Sequence, residues 1–232
     1  VNKTKGYVVA IDGPSGAGKS TVSRQLADAL NGRLLDTGAM YRSVGYFALR
    51  DDAKTESEFQ KISSSLTFKY NEEKGTLLVN GEDLGLKLRT QKVSAMASHV
   101  SKFSKVREVL TKKQRSLAKD WSQKIAVVVE GRDIGTVVFP KVRFKFFVTA
   151  RPEVRAERRY QQLKKQGSSR VTFKKILQEH RDRDAQDSNR KVAPLRCPKD
   201  AVVVDTSEMA ISQVVQFMAN HVKAGQAGVG KI

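Results

Sequence analysis

Gly13-Pro14-Ser15-Gly16-Ala17-Gly18-Lys19-Ser20 is the segment whose residue types and spacing most directly specify chemistry. It fits G-x-x-x-x-G-K-[ST], a pattern in which glycines let backbone N–H groups curl around phosphates without Cβ clashes. The apolar run Tyr7 to Ile11 precedes it and a helical-period stretch begins at Lys19, so a bound phosphate would also meet the positive end of a helix. Lys19 is expected to reach the β and γ oxygens of a nucleotide, and Ser20 is the expected Mg2+ ligand. With Thr21, these residues form the candidate nucleotide-binding segment. Asp12, directly before it, has two readings: it orients the metal through water, or it is a sheet-edge carboxylate satisfied by nearby N–H groups.

Such a loop leaves the class of phosphate chemistry open. A guanine-reading N-K-x-D tetrapeptide does not occur. His180-Arg181-Asp182 spells the first half of a protein-kinase catalytic loop, but position 187 is Asp where Asn is required, and there is no D-F-G. A motor ATPase and transfer to a small acceptor remain open, and the second is the case that brings two phosphates together. Two anionic phosphates must then meet, so catalysis is positioning plus charge neutralisation, and arginines are the side chains to look for.

The elements that must hold these residues follow from apolar patterning. Five short runs (Tyr7 to Ile11, Arg33 to Leu35, Ile125 to Val129, Phe144 to Val148 and Ala201 to Val204) are nearly continuous, as in strands buried on both faces of a parallel sheet. Helical-period stretches alternate with them: Lys19 to Leu30, Met40 to Arg50, Val106 to Asp120, Glu153 to Lys165, Thr172 to Asp187 and Met209 to Val222. The class expected is α/β, a five-stranded parallel sheet flanked by helices. Between Thr55 and Lys102 the rhythm breaks, and Leu66 to Tyr70 and Thr76 to Val79, separated by Asn71-Glu72-Glu73-Lys74-Gly75, predict an inserted antiparallel hairpin. Residues 151–175 carry nine Lys or Arg against Glu153 and Glu157, interrupted by Gly167-Ser168-Ser169. On charge alone this is either a phosphate-clamping lid or a solvated helix face. Arg155, Arg158 and Arg159 recur there at helical spacing.

The chain has 232 residues, enough for one large domain with insertions and a real core. Its 39% hydrophobic and 29% charged residues fit a globular protein and not a disordered or membrane chain. No apolar run approaches the roughly 20 residues needed to cross a bilayer, and the N-terminus lacks the apolar region of a secretory signal, so a cytoplasmic location is expected. One cysteine, Cys197, and three scattered histidines leave neither an intrachain disulfide nor a zinc spacing. The net charge of +19 calls for anionic partners. Small phosphorylated substrates account for it better than nucleic acid, since no base-stacking aromatic motif is present.

Beyond the loop, Leu34-Leu35-Asp36-Thr37-Gly38-Ala39-Met40-Tyr41-Arg42 and Glu130-Gly131-Arg132-Asp133-Ile134-Gly135-Thr136-Val137-Val138-Phe139-Pro140 resemble the signatures of bacterial cytidylate kinases. Ile11 to Thr21, Asn80-Gly81-Glu82-Asp83, Val106-Arg107-Glu108 with Gln114-Arg115, Arg183-Asp184 through Asp187, and Arg190 to Ala193-Pro194-Leu195 extend the resemblance along nearly the whole chain. It implies a P-loop kinase fold with a core (1–36, 104–150, 171–232), a region for the nucleoside monophosphate (37–103) and a basic lid (151–170). It also implies transfer of the ATP γ-phosphoryl group to CMP or dCMP with Mg2+, by a monomer. Thr37, Arg42 and Arg132 then match positions that hold the acceptor phosphate, with Thr37 standing where the family usually has serine. Asp133, Arg107 and Ser98 match base-reading positions; cytosine needs an acceptor facing its N4 amino group and donors facing N3 and O2. Arg183 and Asp187 are assigned to the pentose and Arg190 to the acceptor nucleotide more broadly. Their i, i+4, i+7 spacing puts them on one face if the helix continues that far; spacing alone would also fit a surface ion pair. Lys19, Arg132 and the three arginines Arg155, Arg158 and Arg159 are the candidates for neutralising charge on the transferring group, with Arg158 and Arg159 set beside Lys19 and Arg132 as the catalytic assignment. A kinase of UMP or of a non-nucleotide acceptor, and a polyanion-binding module without catalysis, are the alternatives.

Overall fold

All five apolar runs pair into one parallel sheet. The computed structural model describes residues 6–165 and 171–227. Strands β1 (Val8–Asp12), β2 (Arg33–Asp36), β5 (Val127–Glu130), β6 (Phe144–Thr149) and β7 (Val202–Asp205) lie in the order β2-β5-β1-β6-β7, every pair parallel. Alternation along the strands divides the core in two. Val9, Ile11, Val128, Phe146 and Val148 pack with Val22 and Leu26 of α1 (Lys19–Ala29) and Met218 and Val222 of α8 (Ile211–Ala227). Ala10, Leu35, Val127 and Val129 face the opposite side, against Val44 of α2 (Thr37–Arg50) and Leu110 of α5 (Ser104–Trp121). Helices on both faces explain why the strands read as continuous apolar runs.

The insert contains the expected hairpin, β3 (Phe68–Asn71) antiparallel to β4 (Thr76–Val79). It also contains two helices that sparse apolar periodicity hides: α3 (Glu56–Ser65) and α4 (Gln91–Val100). Thr55 and Glu58 form a reciprocal capping box at the start of α3, satisfying two N–H groups that the helix leaves orphaned. α4 packs closely on α2, where a Cβ at Gly45 would lie 2.9 Å from the Ala97 nitrogen. α6 (Pro152–Lys165) packs on α7 (Phe173–Asn189), and the expected Gly167-Ser168-Ser169 interruption and Arg170 fall outside the described residues. The Gly- and Ala-rich stretch Ala224 to Gly230 is helical through Ala227; 228–230 lie outside the described residues. Among the described residues no helix is long and apolar enough to cross a membrane. The parallel sheet turns the C-terminal ends of β1, β2 and β5 to one edge, where open α/β sheets place their ligands.

Candidate active site

The phosphate loop, residues 13–18, joins β1 to α1. Gly13 has φ +147°, and a Cβ there would sit 1.9 Å from the Val148 carbonyl oxygen, so the loop passes β6 with no room for a side chain. Gly18, at φ +84°, turns the chain into α1. Lys19 is buried and its Nζ donates to the Pro14 carbonyl at 2.6 Å. Burial, with Arg132 adding to it, brings its pKa down to about 7. Ser20 Oγ donates to Glu130 Oε1 at 2.9 Å, while Glu130 Oε2 is buried without a partner. Burial and the nearby Asp36 raise the pKa of the Glu130 carboxyl. Thr21 follows on the exposed face of α1.

A second group of candidate residues follows the ends of β2 and β5. Asp36 caps α2, accepting from Ala39 N at 2.8 Å with Oδ1 and from Arg42 Nη2 at 2.8 Å with Oδ2. Thr37 Oγ1 donates to the Glu130 carbonyl at 2.7 Å. Arg132 Nε donates to Asp187 Oδ2 on α7 at 3.0 Å. Arg42 and Arg183 each keep a buried Nε without a partner. The charges of Arg132 and Arg183 bear on Lys19, and those of Arg132 and Arg42 bear on Arg183, so four cationic side chains from α1, α2, the turn after β5 and α7 converge. A site with that excess of unfilled donors is built for anionic oxygens.

Asp133 lies beside this cluster between two guanidinium groups. Arg107, on α5, donates through Nη2 to Asp133 Oδ2 at 2.5 Å and through Nη1 to the Ser101 carbonyl at 3.1 Å. Its guanidinium also sits over the Tyr41 ring, 5.3 Å from the centroid, and burial raises the Tyr41 pKa to about 12. Arg190 reaches Asp133 Oδ1 at 3.4 Å. α7 stops at Asn189, and Arg190 has extended backbone, so Arg183, Asp187 and Arg190 do not share one helix face; Arg190 arrives by the loop that follows. The Ser98 hydroxyl, on α4, accepts from Gln186 Nε2 of α7, which ties the insert to that helix.

Asp12 follows the second of its two readings. Its Oδ1 accepts from Ile134 N at 2.8 Å and its Oδ2 from Gly135 N at 2.7 Å. Burial brings its pKa up to about 6, opposed by those two hydrogen bonds.

Arg155, Arg158 and Arg159, all on α6, separate into three roles. Arg155 is buried and fully engaged, with Nε on the Ala150 carbonyl at 2.9 Å, Nη1 on the Ser15 carbonyl at 2.8 Å and Nη2 on Asp184 at 2.6 Å. It holds the phosphate loop to α6 and α7. Arg158 bonds Thr206 Oγ1 at 3.0 Å, and its Nη1 lies 4.0 Å from where a Gly18 Cβ would be. Arg159 is exposed and bonds Gln162 on its own helix. His180 of α7 covers Gly16, where a Cβ would fall 2.5 Å from the imidazole Cε1; burial lowers its pKa.

Glu130, Asp36 and His180 are site residues to which sequence reasoning gave no role. Glu130 carried a signal, since it is the charged residue directly after the apolar run Ile125 to Val129. His180 carried none, because only the packing of α7 on the loop reveals it. Among the described residues no group of three His, Cys, Asp or Glu side chains forms a metal centre; at the loop the Ser20 hydroxyl and the Glu130 carboxylate lie within hydrogen-bond distance of each other.

Known proteins resemble this chain along most of its length. A family model described as Cytidylate kinase matches residues 9–224. A cytidylate kinase of Thermosipho melanesiensis is 43% identical over 215 residues, covering 93% of this chain and 96% of that protein. One from Clostridium tetani is 44% identical over 220 residues, covering 94% of each. Among solved structures, a gluconokinase from Sinorhizobium meliloti is similar in fold, with a TM-score of 0.51 at 13% identity over 100% of both chains. With the family match spanning almost the whole chain and the relatives above two-fifths identical, the chain belongs to the cytidylate kinase family.

Proposed function

We propose that the protein transfers the γ-phosphoryl group of ATP to the phosphate of CMP or dCMP, giving CDP or dCDP and ADP. The observation that carries this is the convergence of Lys19, Arg42, Arg132 and Arg183 between the phosphate loop and the Asp133–Arg107 pair. Residues 13–21 hold the ATP phosphates. Arg42, Arg132 and the Thr37 hydroxyl hold the acceptor phosphate, Arg183 and Asp187 the pentose, and Asp133, Arg107 and Ser98 the base, with Arg190 steadying Asp133. An acceptor oxygen attacks the γ-phosphorus as the bond to the β–γ bridging oxygen breaks, with ADP leaving on the opposite side. Lys19 and Arg132 meet the charge that spreads over the transferring group. Arg158 is the lid arginine placed to join them, because it already lies beside Gly18; Arg159 joins only after a rotation of its side chain.

Mg2+ fits the loop, since the Ser20 hydroxyl and the unpartnered Glu130 Oε2 are adjacent hard oxygen donors of the kind the ion prefers. When bound with ATP it neutralises charge on the phosphate oxygens. Residues 37–103 act as the acceptor-nucleotide region, the lid around α6 closes over both nucleotides to exclude water, and the remainder is the core. The protein works as a cytoplasmic monomer whose partners are its nucleotides. Following CMP and ATP by nucleotide separation tests this reading: CDP and ADP must appear together and vanish in Lys19→Ala. Polyanion binding that survives Lys19→Ala with no CDP formed would instead support the module without catalysis.

A further inference from the structure

Arg132 and Asp133 sit on a turn that two neighbouring residues of β1 hold from both sides. On one side Gly131 N donates to the Ile11 carbonyl at 2.9 Å. On the other, the Asp12 carboxylate takes both Ile134 N and Gly135 N, one on each oxygen. Those two N–H groups open a five-residue π-helical turn, Ile134–Val138, whose first donors have no partner within the turn. A carboxylate bridging them is a charge-assisted cap on a helix start, stronger than a neutral one. Because the Asp133–Ile134 peptide is held at its nitrogen, the backbone at Asp133 is fixed (φ −141°, ψ 25°), and so is the direction in which its side chain leaves the chain. Asp12 is 1% exposed, and both its oxygens are used in this way.

We infer that Asp12 is a positioning residue for acceptor recognition: from the last position before the phosphate loop, it aims Asp133 at the base and Arg132 at the acceptor phosphate. The inference rests on the reading of Asp133 as the base-reading residue. It gives the two substrate sites one covalent frame, since Asp12 is bonded to Gly13 of the loop and hydrogen-bonded to the segment that reads the acceptor. Close approach supports the cap, for Gly135 is hemmed in, with a Cβ meeting Pro198 Cγ at 3.0 Å and Lys145 Cδ at 3.2 Å. The turn therefore cannot slide to find another acceptor.

Asp12→Asn keeps the shape but offers one oxygen and an amide that repels the second N–H. The expected result is a KM for CMP raised about tenfold and a CMP-over-UMP ratio of kcat/KM lowered about fivefold or more, with affinity for a non-hydrolysable ATP analogue changed by less than about twofold. Asp133→Asn is measured alongside, and the double variant must show less than the product of the two single losses in selectivity. If Asp12→Asn keeps full selectivity while Asp133→Asn loses it, the positioning role is overturned and the base reading stands. If Asp133→Asn itself keeps selectivity, the base reading fails and the role of Asp12 fails with it. The native protein supplies a check that needs no variant: the Ile134 and Gly135 amides must exchange slowly with solvent before CMP is added. Fast exchange there overturns the clamp.

Discussion

Arg107 and Asp133 form a buried ion pair, Nη2 to Oδ2 at 2.5 Å, with side-chain exposures of 5% and 6%. The pair presents a carboxylate and a guanidinium side by side, which is the acceptor-and-donor order that cytosine's N4 and N3–O2 edge requires. On the proposed reading of the base, uracil would set its O4 against the carboxylate, a mismatch worth ~2 to 4 kcal/mol because a buried charged acceptor is left facing another acceptor. Asp133→Asn should therefore shrink the preference for CMP over UMP. Steady-state kinetics with both acceptors check this, and an unchanged ratio would remove Asp133 from base reading.

Arg42 is held by Asp36 through one nitrogen while its buried Nε has no partner, so it is aimed but not used up. Truncation in Arg42→Ala should raise the KM for CMP by about tenfold or more, with little change for ATP, as expected for one lost charge-assisted contact. Equal losses for both substrates would place Arg42 in the wrong site.

Lys19 gives a proton prediction with a definite sign. Its pKa is brought down to about 7, below the ordinary 10.5, so near pH 8 the empty loop holds much of this lysine in the neutral form. A triphosphate on the loop favours the ammonium form and raises that pKa, so ATP binding at pH 8 should be accompanied by net proton uptake. Calorimetry in buffers of different ionisation enthalpy measures the uptake directly. Lys19→Arg, which stays charged, should abolish the uptake while retaining binding. Release of a proton, or none exchanged by the native protein, would contradict the account.

Lys113 makes a stability prediction away from the chemistry. Reaching from α5, its Nζ donates to the carbonyls of Ser63 at 2.9 Å, Ser64 at 2.7 Å and Leu66, closing the C-terminal end of α3 where the helix leaves carbonyls orphaned. Lys113→Met should lower the unfolding free energy in urea by about 1 to 2 kcal/mol while leaving kcat within about a factor of two. A loss of less than about 0.3 kcal/mol would show that water serves those carbonyls equally well.

How much of this was legible in the sequence depends on whether the signal is local. The phosphate loop, the five apolar runs and the hairpin around Asn71 to Gly75 each carry their pattern within a few residues, and the sheet and turn form there. α3 and α4 escaped because α3 fully buries just Phe59 and Ser63, and α4 just Val93, Ala97 and Val100, stripes too thin for periodicity to register. Thr55 and Glu58 were the available clue to α3. Arg190 escaped its expected helix face because the helix ends one residue before it. Asp12 was ambiguous since the partners of its carboxylate lie over 120 residues along the chain. Arg155, one of three equivalent arginines by spacing, is distinguished from Arg158 and Arg159 only by the Ser15 carbonyl and Asp184 that packing brings to it.

The most direct test of the central claim is ATP consumption with Mg2+ against CMP, dCMP, UMP, AMP and GMP in parallel, beside a control without acceptor. The account predicts strong turnover with CMP and dCMP, far weaker turnover with the other three, and little hydrolysis in the control. Equal turnover with UMP would contradict the Asp133–Arg107 reading of the base, and turnover independent of any acceptor would contradict phosphoryl transfer to a nucleotide.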